Sequence, residues 1–143
     1  MNYILDTNII SELISVQPNQ KVIGWLKGVD AKRTFLSVIT IGEIRKGIEK
    51  LPESLRKKNI QDWFENELLV QFEGRILSLD LSVILLWGEL VGELEKKGRK
   101  LPPLDSLIAA TTKYYNYTLV TRNEKDFDGI EIVVFNPFEE TRD

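Results

Sequence analysis

The 143-residue chain contains no histidine and no cysteine. The two absences exclude Ser-His-Asp and Cys-His sites, any histidine general base, and every thiolate or imidazole zinc site within the chain. Catalysis, if there is any, falls to carboxylates, amides, hydroxyls, lysine, arginine or tyrosine. Oxygen donors of this kind favour hard cations such as Mg²⁺ or Mn²⁺. Lack of cysteine also fits a reducing compartment. No apolar run approaches the roughly 18–20 residues of a membrane span, and the opening MNYILD has neither the basic start nor the long apolar segment of a signal peptide. The expectation is a cytoplasmic protein. Linkers, internal repeats and low-complexity tracts are absent as well, so one domain is expected over 1–143, with 43% apolar residues to build its core.

Excess positive charge is also missing: the net charge is −3, which does not by itself suggest a nucleic-acid binder. Basic residues nevertheless cluster at 45–50, 55–58 and 96–100. Taken singly, each cluster reads as a solvated helix face.

The apolar pattern alternates between strand and helix. Residues 2–6 form a short buried strand, and Thr7 to Ser15 a helix ending before Pro18. Val22, Trp25, Leu26 and Val29 recur at helical spacing, which predicts a helix over 19–29. RTFLSV (33–38) is a second strand, followed by a helix marked by Ile41, Ile44, Ile48 and Leu51 that stops at Pro52. A longer amphipathic helix covers 53–70, and RILSLD (75–80) is the third strand. Helices over 82–97 and 104–115 follow, the first stopped by Gly98 and the second entered through Pro102 and Pro103. YTLVT (117–121) and EIVVF (131–135) are the last strands. Strand-helix alternation predicts an α/β fold with a mostly parallel central sheet of about five strands and helices on both faces. In such a sheet, ligands bind beyond the carboxyl ends of the strands near a topological switch point.

Four polar stations stand at those ends: Asp6, Glu43, Asp105 and the pair Asn123/Asp126. Each has a structural explanation of its own. Asp6 can cap the helix from Thr7, Thr40 and Glu43 spell a capping box, and Asp105 lies in a first turn that welcomes an anion. Asp80 likewise ends a strand before a helix and reads as a cap. Convergence shifts the balance toward chemistry. Two carboxylates about 5 Å apart repel by ~3 kcal/mol at an effective dielectric near 20. Several so placed destabilise the fold unless a cation neutralises them. A divalent metal does so, and it can polarise a phosphodiester, activate a water and stabilise the leaving oxygen without histidine or cysteine. Arg45, Lys46, Arg99, Lys100 and Arg122 are candidates to hold flanking phosphates of a nucleic acid.

With these motifs in order, the sequence resembles the PIN-domain ribonucleases, and among them the VapC-type toxins of type II toxin–antitoxin systems, in a FitB-like branch. YILDTNIISEL resembles the family's opening strand with its aspartate, and LSVITIGEIRKGI the segment bearing its glutamate. GRKLPPLDSLIAATTKYYNYTLVTRNEKDF resembles the third acidic block with the following strand, and NPF (136–138) the usual ending. The resemblance implies a PIN fold, metal-dependent endoribonuclease activity with Mg²⁺ or Mn²⁺, and inhibition by a VapB-like antitoxin. It also implies a homodimer that joins antitoxin in a hetero-oligomer and reaches operator DNA only through the antitoxin. Asp6, Glu43 and Asp105 carry over as metal-site carboxylates. At the fourth acidic position the family pattern T-x-D meets Thr121-Arg122-Asn123, with the carboxylate three residues later at Asp126. Asn123, Asp126 or both fill that position, or Asp126 merely caps the DFDG turn. Thr7 and Thr121 either orient carboxylates or cap turns.

The leading expectation is therefore a metal-dependent endoribonuclease toxin, in which Asp6 and Asp105 hold the metal and Glu43 orients or deprotonates water. The alternative is a catalytically silent PIN-like module that docks a protein or RNA. A small-molecule phosphohydrolase is disfavoured because Asp6 is followed by Thr7-Asn8 rather than the D-x-D pattern of that chemistry.

Overall fold

The computed structural model describes residues 1–139. Residues 140–143, included in the expected single domain, lie outside the described residues. Five strands form one parallel sheet in the order β3-β2-β1-β4-β5. They are β1 (Tyr3–Leu5), β2 (Thr34–Ser37), β3 (Ile76–Leu77), β4 (Thr118–Val120) and β5 (Val133–Phe135). The expected sheet is thus wholly parallel. The chain winds outward from β1 through β2 to β3, then crosses back to lay β4 and β5 on the other side of β1. The reversal lies between β1 and β4, whose register pairs Ile4 with Leu119 and Leu5 with Val120. Both strands end there, β1 just before Asp6 and β4 just before Thr121.

The period-2 alternation of these strands divides the core into two layers. Leu5, Leu36 and Val120 point into one layer with Ile9, Val22, Ile44, Ile48 and Ile60. Ile4 and Leu119 point into the other with Leu94, Ile108, Ala109 and Phe127. The first layer is covered by α1 (Thr7–Ile10), α2 (Gln20–Gly28), α3 (Val38–Glu49) and α4 (Leu55–Trp63); the second by α6 (Leu81–Lys96) and α7 (Pro103–Tyr115). α1 tightens into a 3₁₀ turn over Ser11–Ile14, and α4 widens into a π segment over Phe64–Leu68 before the short α5 (Leu69–Gln71).

Three local expectations are corrected. The third strand is two residues long rather than six. Its neighbour in the sheet, β2, ends at Ser37, which pairs with Leu77, so the β2–β3 ladder goes no further. The 53–70 helix starts at Leu55, because Ser54 accepts from Lys57 N (3.1 Å) as its cap. Thr40 and Glu43 do not form a capping box: Ser37 is the cap of α3, accepting from Ile39 N (3.0 Å), and Thr40 is buried inside the helix. Asp80 does cap α6, accepting from Val83 N (3.1 Å). Lys57, almost wholly buried, donates to Glu49 O and Leu51 O at the end of α3 and pairs with Glu53, fixing the seat of the helix that carries Glu43. No described helix is long and apolar enough to cross a membrane.

Candidate active site

Asp6 is the centre of the switch point. It is only 7% exposed, which is unusual for a carboxylate without a cationic partner. Its backbone is extended as a cap requires, and its two side-chain oxygens have separate duties. Oδ1 accepts from Thr7 N (2.8 Å), the first free N–H of α1. Oδ2 accepts from the Thr121 hydroxyl (2.8 Å) and from Asn8 Nδ2 (3.4 Å). Thr121 in turn accepts from Asn8 Nδ2 (3.2 Å) and Asn123 N (3.1 Å), and Asn8 Oδ1 accepts from Arg122 N (3.0 Å). Side chains after β1 and after β4 are thereby knitted across the gap between the strands.

Glu43 reaches the same place from α3 and accepts the Thr7 hydroxyl at 2.6 Å. Thr7 and Thr121 thus each orient one carboxylate. Asp105, half-buried in the first turn of α7, is placed by Pro103 at the first helical position and by Ser106, whose hydroxyl donates to Pro103 O (2.6 Å) and accepts from Trp87 Nε1 (2.8 Å). Asp126 is exposed on a 3₁₀ turn over Glu124–Phe127, with Asn123 just before it.

The charges feel one another. Burial raises the pKa of Asp6 above the ordinary carboxylate value, and the nearby Glu43 charge adds to it; the bonds from Thr121, Thr7 and Asn8 pull the other way. Asp105 is raised first by burial and then by the charges of Asp6, Asp126 and Glu43. All four acids therefore share one electrostatic neighbourhood. Among the described residues, none of the four takes part in an ion pair. Nor do three acidic groups gather among the described residues into a finished metal cage. The arrangement is an open, uncompensated acidic cluster.

Three of the five basic candidates, Arg45, Arg99 and Arg122, have partners of their own. Arg45 pairs with Glu49 one turn along α3 (3.1 Å). Arg122 lies over the ring of Phe138 (4.9 Å), and its carbonyl accepts from Asn136 Nδ2 (3.2 Å). Arg99 donates to the carbonyls of Asp126 (3.1 Å) and Asp128. Sequence reasoning missed Asn8, which touches Asp6, Thr121 and Arg122 at once. Its bonds to Thr121 and Arg122 join residues more than a hundred positions apart, so no local spacing signals them.

This fold coincides with that of a known family. The model of the PIN domain matches residues 3–132. The chain belongs to the PIN domain family. A PIN relative, "Toxin FitB" of Neisseria gonorrhoeae (strain ATCC 700825 / FA 1090), is 34% identical over 94% of this chain and 97% of its own length. "VapC ribonuclease Y4jK" of Sinorhizobium fredii (strain NBRC 101917 / NGR234) is 31% identical over 95% of this chain and 97% of its own. Among solved structures, that of FitAB bound to the IR36 DNA fragment superposes with a TM-score of 0.92 at 33% identity, covering 98% of both chains. The family model thus spans β1 to β4 and takes in Asp6, Glu43, Asp105, Asn123 and Asp126.

Thr121→Val is expected to release one oxygen of Asp6 and, with Asp6 as a metal ligand, would lower Mn²⁺ affinity and cleavage by about 10- to 100-fold. Valine keeps the shape but leaves Asp6 Oδ2 and Asn123 N short of a partner, at a folding cost of about 1–3 kcal/mol. Thr121→Ser restores both. Metal titration and urea unfolding of the two variants check this; equal behaviour of Thr121→Val and wild type would refute the orienting role.

Proposed function

We propose that this PIN-family nuclease is a metal-dependent endoribonuclease, the toxin of a VapBC-type toxin–antitoxin module acting in the cytoplasm. The observation that carries the reading is the uncompensated cluster of Asp6, Glu43, Asp105 and Asp126 at the switch point of the sheet. Its donors are all oxygens, burial and neighbouring charges raise the pKa values of Asp6 and Asp105, and no ion pair among the described residues neutralises the four, which suits a hard divalent cation. Asp6 and Asp105 would hold Mg²⁺ or Mn²⁺, with Glu43 beside them. Once bound, the ion supplies Lewis acidity toward a phosphodiester and favours ionisation of the attacking water.

The chain's own groups divide the remaining work. Thr7, Asn8 and Thr121 hold Asp6 by both oxygens, so its carboxylate cannot rotate when substrate arrives. The Thr7 hydroxyl occupies Glu43 Oε1 and leaves Oε2 to orient the attacking water and take its proton. Asp126 and the exposed amide of Asn123 close the fourth side, where they meet the phosphate's surroundings. RNA is the substrate by kinship with the ribonuclease and toxin relatives, and backbone phosphates flanking the scissile bond lie beyond the acidic centre. A VapB-like antitoxin covers the site, and a homodimer of this chain joins it on operator DNA, by the same kinship.

Cleavage mapping on total RNA with the purified chain and Mn²⁺ tests the proposal. Discrete cuts that vanish with EDTA and in a parallel preparation of Asp6→Asn are the expected result. Cuts that persist in Asp6→Asn, or a wild-type chain that binds Mn²⁺ and leaves every RNA intact, would sink it in favour of a docking module.

A further inference from the structure

The segment between β4 and β5 carries Asn123 and Asp126, and it is fastened at two places. At the near end, Arg122 N–H donates to Asn8 Oδ1 (3.0 Å) and Arg122 O accepts from Asn136 (3.2 Å). At the far end, the Arg99 guanidinium donates to Asp126 O (3.1 Å) and to Asp128 O. Arg99 follows Gly98, whose φ of 78° ends α6, and its own N–H turns back to Leu94 O (2.9 Å). Six residues further on stands Asp105. At the other side of the contact, Gly129 (φ 80°) brings its backbone so close that a Cβ there would lie 2.9 Å from Arg99 Nη1.

Arg99 therefore joins two segments that each present an acid to the same cluster. The Glu124–Phe127 turn is a single exposed 3₁₀ turn, which has little stability of its own. Buried Phe127 anchors it to the sheet, while the two carbonyls on Arg99 fix its rotation about that anchor. The like charges of Asp105 and Asp126 push the turn outward, and a planar guanidinium fork across two carbonyls resists that push in a way a lysine point donor does not.

We propose that Arg99 is a positioning residue, a latch between the α6–α7 turn and the Asp126 turn that keeps Asp126 in the acidic cluster, rather than a contact for RNA phosphates. The proposal rests on the reading that the cluster holds a divalent cation.

The test uses the full chain as wild type, Arg99→Lys, Arg99→Met, Asp126→Asn and the Arg99→Met/Asp126→Asn double variant. Amide hydrogen exchange without metal should accelerate at least about tenfold over 122–130 in Arg99→Met, partly in Arg99→Lys, and nowhere in β1 or β4. Calorimetry with Mn²⁺ alone should show affinity reduced about tenfold in Arg99→Met and equally in Asp126→Asn. The double variant should be no weaker than Asp126→Asn, because both changes remove one contribution. The KM for RNA and its salt dependence should stay at wild-type values in Arg99→Met. Unchanged exchange overturns the latch. So does wild-type Mn²⁺ affinity combined with a raised KM and a salt slope smaller by about 1, the signature of a lost phosphate contact. If the wild type takes up no Mn²⁺, the metal reading of the cluster falls and the catalytic part of this proposal with it, while the exchange arm still decides whether Arg99 holds the turn.

Discussion

Asp6→Asn is expected to lower RNA cleavage by roughly 10³-fold or more while leaving the fold intact, because several kcal/mol of transition-state stabilisation depend on the metal it would hold. The substitution is close to a pure charge deletion. An asparagine is as good a helix cap as aspartate, so Oδ1 keeps the bond from Thr7 N; its amide loses the bonds that Oδ2 accepts from the Thr121 hydroxyl and Asn8, a local cost offset by removing a buried charge. What disappears is the anion at the switch point. Circular dichroism of the variant should match wild type, its Mn²⁺ heat should be lost, and cells expressing it should grow. Growth arrest by Asp6→Asn at wild-type strength would remove Asp6 from the chemistry and leave it a cap alone.

The second large effect concerns stability, and it reverses with metal. Asp105 has its pKa raised above the ordinary 3.8 by burial and by Asp6, Asp126 and Glu43. A group raised on folding contributes stability that is fully present below its unfolded value and is lost as pH climbs through the folded one. At pH 7 the ionised group therefore opposes folding of the metal-free chain. Asp105→Asn should unfold a few degrees higher than wild type at pH 7 without metal, and the gain should shrink as pH falls toward about 4. Mn²⁺ at 100 times its dissociation constant stabilises the wild type by about 2.7 kcal/mol, on the order of 5–10 °C for a chain of this size. The same ion should do almost nothing for Asp105→Asn, so that the order of melting temperatures inverts. A variant less stable than wild type without metal, or equally responsive to Mn²⁺, would contradict the electrostatic account.

Much of this was legible in residue types and spacing. Asp6 after YIL and Thr121 after TLV mark strand ends because the apolar alternation stops there, and the strand-helix rhythm leads to a parallel sheet whose ends form the site. Spacing could not assign the start of α3. Both Ser37 and Thr40 are good caps, and β2 ending one residue earlier than the apolar pattern suggests decided for Ser37. The length of β3 was equally hidden, since it depends on where its partner stops rather than on RILSLD itself. The partners of Arg99 and Asn8 are tertiary: 27 residues separate Arg99 from Asp126, and 114 separate Asn8 from Arg122. No local pattern encodes such pairs, so a cation near an acidic site reads as a phosphate ligand until its bonds to backbone carbonyls are seen.

The separation of 115 residues between Asp6 and Thr121 has a consequence for how the protein is made. A ribosome releases β1 and the glutamate-bearing helix α3 well before the hydroxyl that fixes Asp6, the β4 strand beside it and the Asp126 turn. Pairing between such distant segments waits until both have left the exit tunnel. Until then Asp6 lacks both the β4 neighbour and the hydroxyl that fixes it, so the site stays incomplete until the later segment has emerged.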